Sequence, residues 1–268
     1  FGTKAGLAPF HPWLPDAHAE APSPVSALLS GVMIEVAAYA LFRTVSPFFS
    51  CYPQIRLFLM ILGAVSLILG IALALLQDDL KRMLAYSSVS EMGLIVLGLS
   101  LGTFLGIYGG LYHLLNHGIL KALLFLCAGA VLYSTGLRRI GELGGLGHFL
   151  PVVAVCYMIG AFGLGGIPPL NGFFSLLTVF LAAGNAGHWW AAGTAMAADI
   201  LTLACFVHVG MRLFMSPDRT VLKLGGIKRT PTSLAAPVLF LGFLSFFFGV
   251  AYPIYHPILE SATRALLP

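Results

Sequence analysis

Residues 103–134, TFLGIYGGLYHLLNHGILKALLFLCAGAVLYS, decide how this chain is read. The stretch is longer than the roughly 20 apolar residues that cross a bilayer as a helix. It nevertheless carries His113, His117 and Lys121. Their i, i+4, i+8 spacing lines them up on one face of a single helix. An ionisable group in hydrocarbon is costly, and such groups usually mark transport paths or buried partners. A lone buried histidine is most often a satisfied hydrogen-bonder. Three ionisable groups on one stripe point instead to a relay, because histidine exchanges its proton near neutral pH and water between the groups would complete a hopping chain.

The neighbouring text repeats the pattern. Residues 24–46 form an apolar segment interrupted by Glu35, and 55–76 carry no charge after Arg56. Residues 84–101, 150–167, 172–184, 189–215 and 231–252 complete a set of about eight helical segments. Hydrophobic residues make up 59% of the 268 and charged residues only 9%, with a mean hydropathy of +0.94. Soluble domains carry about 25% charged residues, so this chain cannot cover itself with a wetted surface. The expected fold is an all-α integral membrane bundle, a single membrane domain over 1–268 with no linker or soluble domain. The opening FGTKAGLAPF lacks a Met and reads like the end of a hydrophobic helix, so we expect a piece of a longer protein.

Composition also excludes function classes. The net charge of +4 comes with no basic patch interleaved with exposed aromatics, which argues against nucleic acid. Cys51, Cys127, Cys156 and Cys205 are scattered, without a C-x-x-C or a His/Cys cluster, so they read as small apolar core residues and no metal or other cofactor is expected.

Two stretches break the helical pattern. Five prolines between Pro9 and Pro24, with His11, Asp16, His18 and Glu20 among them, predict a polar re-entry that is not regular helix. The run Gly165-Gly166-Ile167-Pro168-Pro169-Leu170-Asn171-Gly172 predicts a broken helix. Non-helical backbone at membrane depth survives where it is buried in protein or lines a cavity; both stretches could equally be interfacial loops. The loops 138–142 and 218–229 are both basic, so the positive-inside rule places both in the cytoplasm. Three full crossings between them would put them on opposite faces, and the sequence leaves that conflict standing.

Other ionisable residues extend the candidate list. Glu35, mid-segment in SGVMIEVAAYALF, reads as a proton carrier or as the partner of a cation on another helix. Lys81 lies among Asp78, Asp79 and Arg82, which taken alone looks like a solvated helix junction. Glu91, Asp199 and His208 read as structural hydrogen-bond partners or interface residues, and Lys4 as a residue near a helix end that could snorkel to the headgroups.

Four ordered motifs then carry a resemblance across most of the chain: KAGLAPFHPWLPDAHAEAPSPVSALLSGVM (4–33), DDLKRMLAYSSVSEMG (78–93), HLLNHGILKALLFLCAG (113–129) and GGIPPLNGFFS (165–175). They resemble the proton-translocating, antiporter-like subunits of respiratory complex I, Mrp-type sodium/proton antiporters, and the membrane arms of energy-converting hydrogenases and formate hydrogenlyase. The wording looks closest to the hydrogenase-type branch. The resemblance implies the second half of a fourteen-helix bundle built from two inverted repeats, each with a broken helix, in a bacterial or archaeal plasma membrane. It implies a polar axis at the midplane formed by Lys4, Lys81, His113, His117 and Lys121, with Pro168, Pro169, Asn171 and Gly172 at the helix break, consistent with the logic of repeat-built transporters. It also implies partners: other membrane-arm subunits and a peripheral redox module. Two departures stand out. The family usually has Lys where this chain has Glu35, and an ionisable residue where it has Leu176. The expected function is proton or cation translocation in a redox-driven complex. The alternatives are an Mrp-type Na+/H+ antiporter subunit and a structural subunit of the membrane arm.

Overall fold

The computed structural model describes residues 1–216 and 227–267, so most of the basic loop 218–229 lies outside the described residues. The chain forms short helices α1 (Gly2–Ala5), α2 (Trp13–Glu20) and α3 (Ser23–Leu28), then α4 (Ile34–Val45), α5 (Pro53–Leu75), α6 (Leu80–Ser100) and α7 (Phe104–Thr135). There follow α8 (Pro151–Leu164), α9 (Asn171–Asn185), α10 (Trp189–Gly210), α11 (Thr232–Val250) and α12 (Tyr252–Arg264). A π turn at Leu29–Met33 joins α3 to α4 in one rod, Ser23–Phe48.

Among the described residues, six helices are long and apolar enough to cross a membrane: that rod, α5, α6, α7, the Trp189–Met215 helix and α11. All eight expected segments are helical. Helix α6 is buried along almost its whole length, whereas α11 turns Phe240, Phe243 and Phe246 outward. Exposed aromatics on the rim and serines in the middle invert the pattern of a water-soluble bundle, as lipid on the outside requires. Helices α5 and α6 touch backbone to backbone, since a methyl group on Gly93 would meet the Gly63 carbonyl at 2.5 Å. Membrane helices pack through such small residues because apolar side chains gain little by leaving lipid for one another.

Helices α8 and α9 have 14 and 15 residues, each about 21–23 Å at 1.5 Å per residue and too short for a 30 Å core. They work in series. Helix α8 starts beside the end of the Trp189–Met215 helix, where a methyl on Gly147 would meet the Phe214 carbonyl at 2.7 Å. The far part of α9 lies at the other end of the bundle, with Val179 against Gly98 and Gly109. The orientation conflict dissolves here. Arg212 donates to the Gly141 carbonyl at 3.3 Å, and the backbone N–H of Lys228 donates to the Ser134 carbonyl at 3.0 Å. The 138–142 loop, the Arg212 end of the Trp189–Met215 helix and Lys228 therefore sit at one end of the bundle.

The proline-rich stretch needs a correction. Within 9–24, expected to lack regular helix, α2 runs for two turns from Trp13 to Glu20. Pro12 stands at its N-cap and Pro15 in its first turn, where a missing N–H costs nothing. Pro22 and Pro24 then start α3. The prolines punctuate short helices rather than abolish them.

Candidate functional site

Helix α7 carries the site. Its ionisable stripe is fully buried, and each member meets a different neighbour. The contacts follow from backbone geometry. Gly118 on α7 and Gly31 in the π turn pack so closely that a methyl on either would fall within 3 Å of the other's carbonyl oxygen. That approach sets Glu35, one turn beyond Gly31, against His117, one residue before Gly118. The Glu35 carboxylate and His117 Nδ1 share a hydrogen bond. Glu35 Oε2 and His117 Nε2 are buried without a partner among the described residues.

His113 lies one turn nearer the start of α7, with its ring 6.4 Å from that of His117. Its Nε2 is 2.9 Å from Glu91 Oε2 on α6, and its Nδ1 is 3.1 Å from Ser175 Oγ on α9. Ser175 has one hydroxyl proton, and it goes to the Gly172 carbonyl at 2.9 Å. Its oxygen accepts from Asn116 Nδ2 and is in hydrogen-bond contact with His113 Nδ1. The Nε2 contact joins the His113 imidazole directly to the Glu91 carboxyl group, so a proton on either can pass to the other.

The helix break is built into the same network. Asn116 Nδ2 donates to the Asn171 carbonyl at 2.8 Å, and Asn171 Nδ2 returns a bond to Asn116 Oδ1 at 3.1 Å. Ser245 on α11 donates to Asn171 Oδ1 at 2.9 Å. Only glycine fits at 172, where a methyl would overlap the Gly163 carbonyl. Pro168 and Pro169 lie on the connection itself, with the Pro169 carbonyl against Gly249.

Lys121 is the third member of the stripe. It donates to Ser87 Oγ at 2.5 Å and lies 5.1 Å from the centre of the Phe206 ring. Ser87 passes its own proton to the Leu84 carbonyl. Among the described residues no carboxylate is bonded to this ammonium, so it is solvated by a hydroxyl, the Leu84 carbonyl at 3.4 Å and a π face rather than by an opposite charge. Lys81 lies at the start of α6, where Asp79 caps the helix by accepting from the backbone N–H groups of Lys81 and Arg82. The Lys81 side chain is buried and donates to the Ala21 carbonyl at 2.8 Å, while Arg82 turns out to Asp16 at 2.7 Å. Lys81 therefore departs from the solvated-junction reading, which describes Arg82. Lys4 is exposed at the end of α1, and the structure does not bring it to the cluster.

His18, at the edge of the bundle on α2, is fully buried and stacks on Phe125 with rings 4.5 Å apart. Both its ring nitrogens lack a partner among the described residues. Burial, then the charges of Lys121 and Lys81, push its pKa down to about 4.

Sequence reasoning placed Glu91 among structural partners and did not single out Ser87, Asn116 or Ser175. Glu91 does serve as a hydrogen-bond partner, but of a stripe histidine. The signal was available, since any carboxylate inside a span is a functional candidate by default. For the serines and Asn116 there was none, because neutral polar residues occur throughout membrane helices.

A family model described as NADH:quinone oxidoreductase/Mrp antiporter, TM, matches residues 1–202. The NADH-quinone oxidoreductase subunit N of Desulforudis audaxviator is 36% identical over 256 residues, covering 90% of this chain and 51% of that protein. An Na(+)/H(+) antiporter protein of Alkalihalophilus pseudofirmus is 34% identical over 274 residues, covering 100% of this chain and 54% of that protein. Among solved structures, respiratory complex I from Thermus thermophilus with bound NADH holds a chain that superposes with a TM-score of 0.87 at 31% identity. The match covers 100% of this chain and 57% of that one. The chain thus spans about half the length of the relatives it matches. These matches and its apolar helices make it an integral membrane protein.

Proposed function

This chain belongs to the NADH:quinone oxidoreductase/Mrp antiporter transmembrane family, and from that premise we propose that it translocates protons in the membrane arm of a redox-driven complex. One observation carries the reading. A single membrane helix holds His113, His117 and Lys121 fully buried, and two carboxylates from other helices, Glu91 and Glu35, meet the two histidines. Placing five ionisable groups in hydrocarbon is costly, and a proton path is the use that this arrangement serves. Protons would pass between Glu91, His113, His117, Glu35 and Lys121 through water, and Lys81 would link the stripe to the end of the bundle that holds the basic loops. The driving event belongs to a neighbouring redox module. The chain would work in a bacterial or archaeal plasma membrane beside other membrane-arm subunits.

Proton uptake by proteoliposomes holding the full-length subunit in its complex tests this. Lys121→Ala and Glu35→Gln should each lower coupled uptake by at least roughly tenfold, the low side of what a positioned proton-transfer group contributes. Assembly should be unchanged. Full uptake in both variants would make this a structural subunit. The antiporter relative, matched over the whole chain, favours one second reading, exchange of sodium for protons without a redox partner. In that case uptake would need a sodium gradient and would ignore the electron donor.

A further inference from the structure

Asp199 stands in the middle of α10, in a span whose mean hydropathy is 1.6. It makes no hydrogen bond or ion pair among the described residues, unlike Glu35 and Glu91. A carboxylate at membrane depth is kept where it meets a partner or a water-filled cavity. Asp199 meets a cavity. A space of about 90 Å³ is bounded by Gly166, Phe173, Leu176, Leu177, Phe180 and Asp199. It has room for several waters at the roughly 10–15 Å³ each needs on this measure. The carboxylate reaches the helix break itself, since a methyl on Gly166 would lie 3.5 Å from Asp199 Oδ2.

The other wall of this cavity is the end of the stripe network. Leu176 follows Ser175, the hydroxyl to which His113 is bonded. His113 is hydrogen-bonded on its other ring nitrogen to Glu91 on α6. Leu176, next in sequence to the Ser175 that His113 touches, lines this cavity together with the Asp199 carboxylate, and both approach Gly166.

We propose that Asp199 is the terminal proton-carrying group of the polar axis. It takes the proton from the His113–Glu91 pair through water in this cavity. The inference rests on the translocation reading above. The step is a transfer only: a proton leaves the imidazolium or carboxylic acid of the pair and lands on the Asp199 carboxylate.

The test uses the full-length subunit in its complex, reconstituted in proteoliposomes, with coupled proton uptake and assembly both measured. Asp199→Asn should cut uptake at least roughly tenfold, and Asp199→Glu should retain most of it. The double variant Asp199→Asn with Leu176→Glu should recover uptake, because it returns a carboxylate to the same cavity. Lys121→Ala is measured alongside. If Lys121→Ala abolishes uptake while Asp199→Asn leaves it intact, the relay stands and the Asp199 inference falls. If neither matters, the translocation reading itself falls. If Asp199→Asn and Asp199→Glu both prevent assembly, Asp199 holds a neighbouring subunit instead, and the inference is again overturned.

Discussion

His18 shows how a single side chain ties stability to pH. Its ring is buried with no partner for either nitrogen, and its pKa sits near 4 rather than 6.5. Between those values the unfolded chain binds a proton that the folded chain refuses. Its contribution to stability is therefore complete above about pH 6.5 and is lost as pH falls toward 4, by on the order of 3 kcal/mol at 1.36 kcal/mol per unit. Thermal melting of the full-length protein in detergent should show this acid limb, and His18→Gln should flatten it; an unchanged limb would place the titration elsewhere. At the same scale, Glu91→Gln fixes a proton on the partner of His113 and removes the negative charge. It should depress coupled uptake while leaving melting within about 1 kcal/mol, because the amide keeps one hydrogen bond. Loss of the folded protein would instead mark the pair as structural. The ionisable stripe on α7 was legible in the sequence from spacing alone. Its partners were not, because Glu35 and Glu91 reach it from segments 82 and 22 residues away.

At the scale of elements, two glycine contacts place the chemistry. Gly31 against Gly118 brings the α3–α4 rod onto α7, and Gly172 against Gly163 allows α9 to start under the end of α8. Gly118→Val should push the rod outward and separate Glu35 from His117. Overpacking of this kind costs about 1–3 kcal/mol. A cysteine pair across the two elements should then cross-link less readily than in the Gly118 parent, and transport should fall with it. Equal cross-linking would show that the rod is held by other contacts. The broken helix at GGIPPLNG was legible because its paired prolines and its glycines cannot continue a helix. That the break is fastened by Asn116, Asn171 and Ser245 depended on three helices meeting, and no local pattern encodes that. The proline-rich stretch misled in the other direction: counting prolines hid the two-turn helix α2, since position within the turn, not number, decides whether proline is tolerated.

At the scale of the whole molecule, the short helices α8 and α9 in series place the 138–142 loop and the end of the Trp189–Met215 helix on one side. Single cysteines at Arg139 and Lys228 should both react with an impermeant reagent from the same side of intact membranes, the cytoplasmic one by the positive-inside rule. Labelling from opposite sides would require α8 and α9 to be two separate crossings. The sequence by itself determined the membrane class, the helical segments and the α7 stripe, because these follow from hydropathy, length and the 3.6-residue period, all local properties. Family membership was equally legible, in four motifs written along the chain. Only the tertiary structure decided which carboxylate meets which histidine, that Lys81 is buried while Arg82 is not, and that Asp199 faces a cavity at the break. Those outcomes depend on how close two backbones come and which faces turn inward, and apolar segments in lipid carry almost no sequence signal for either.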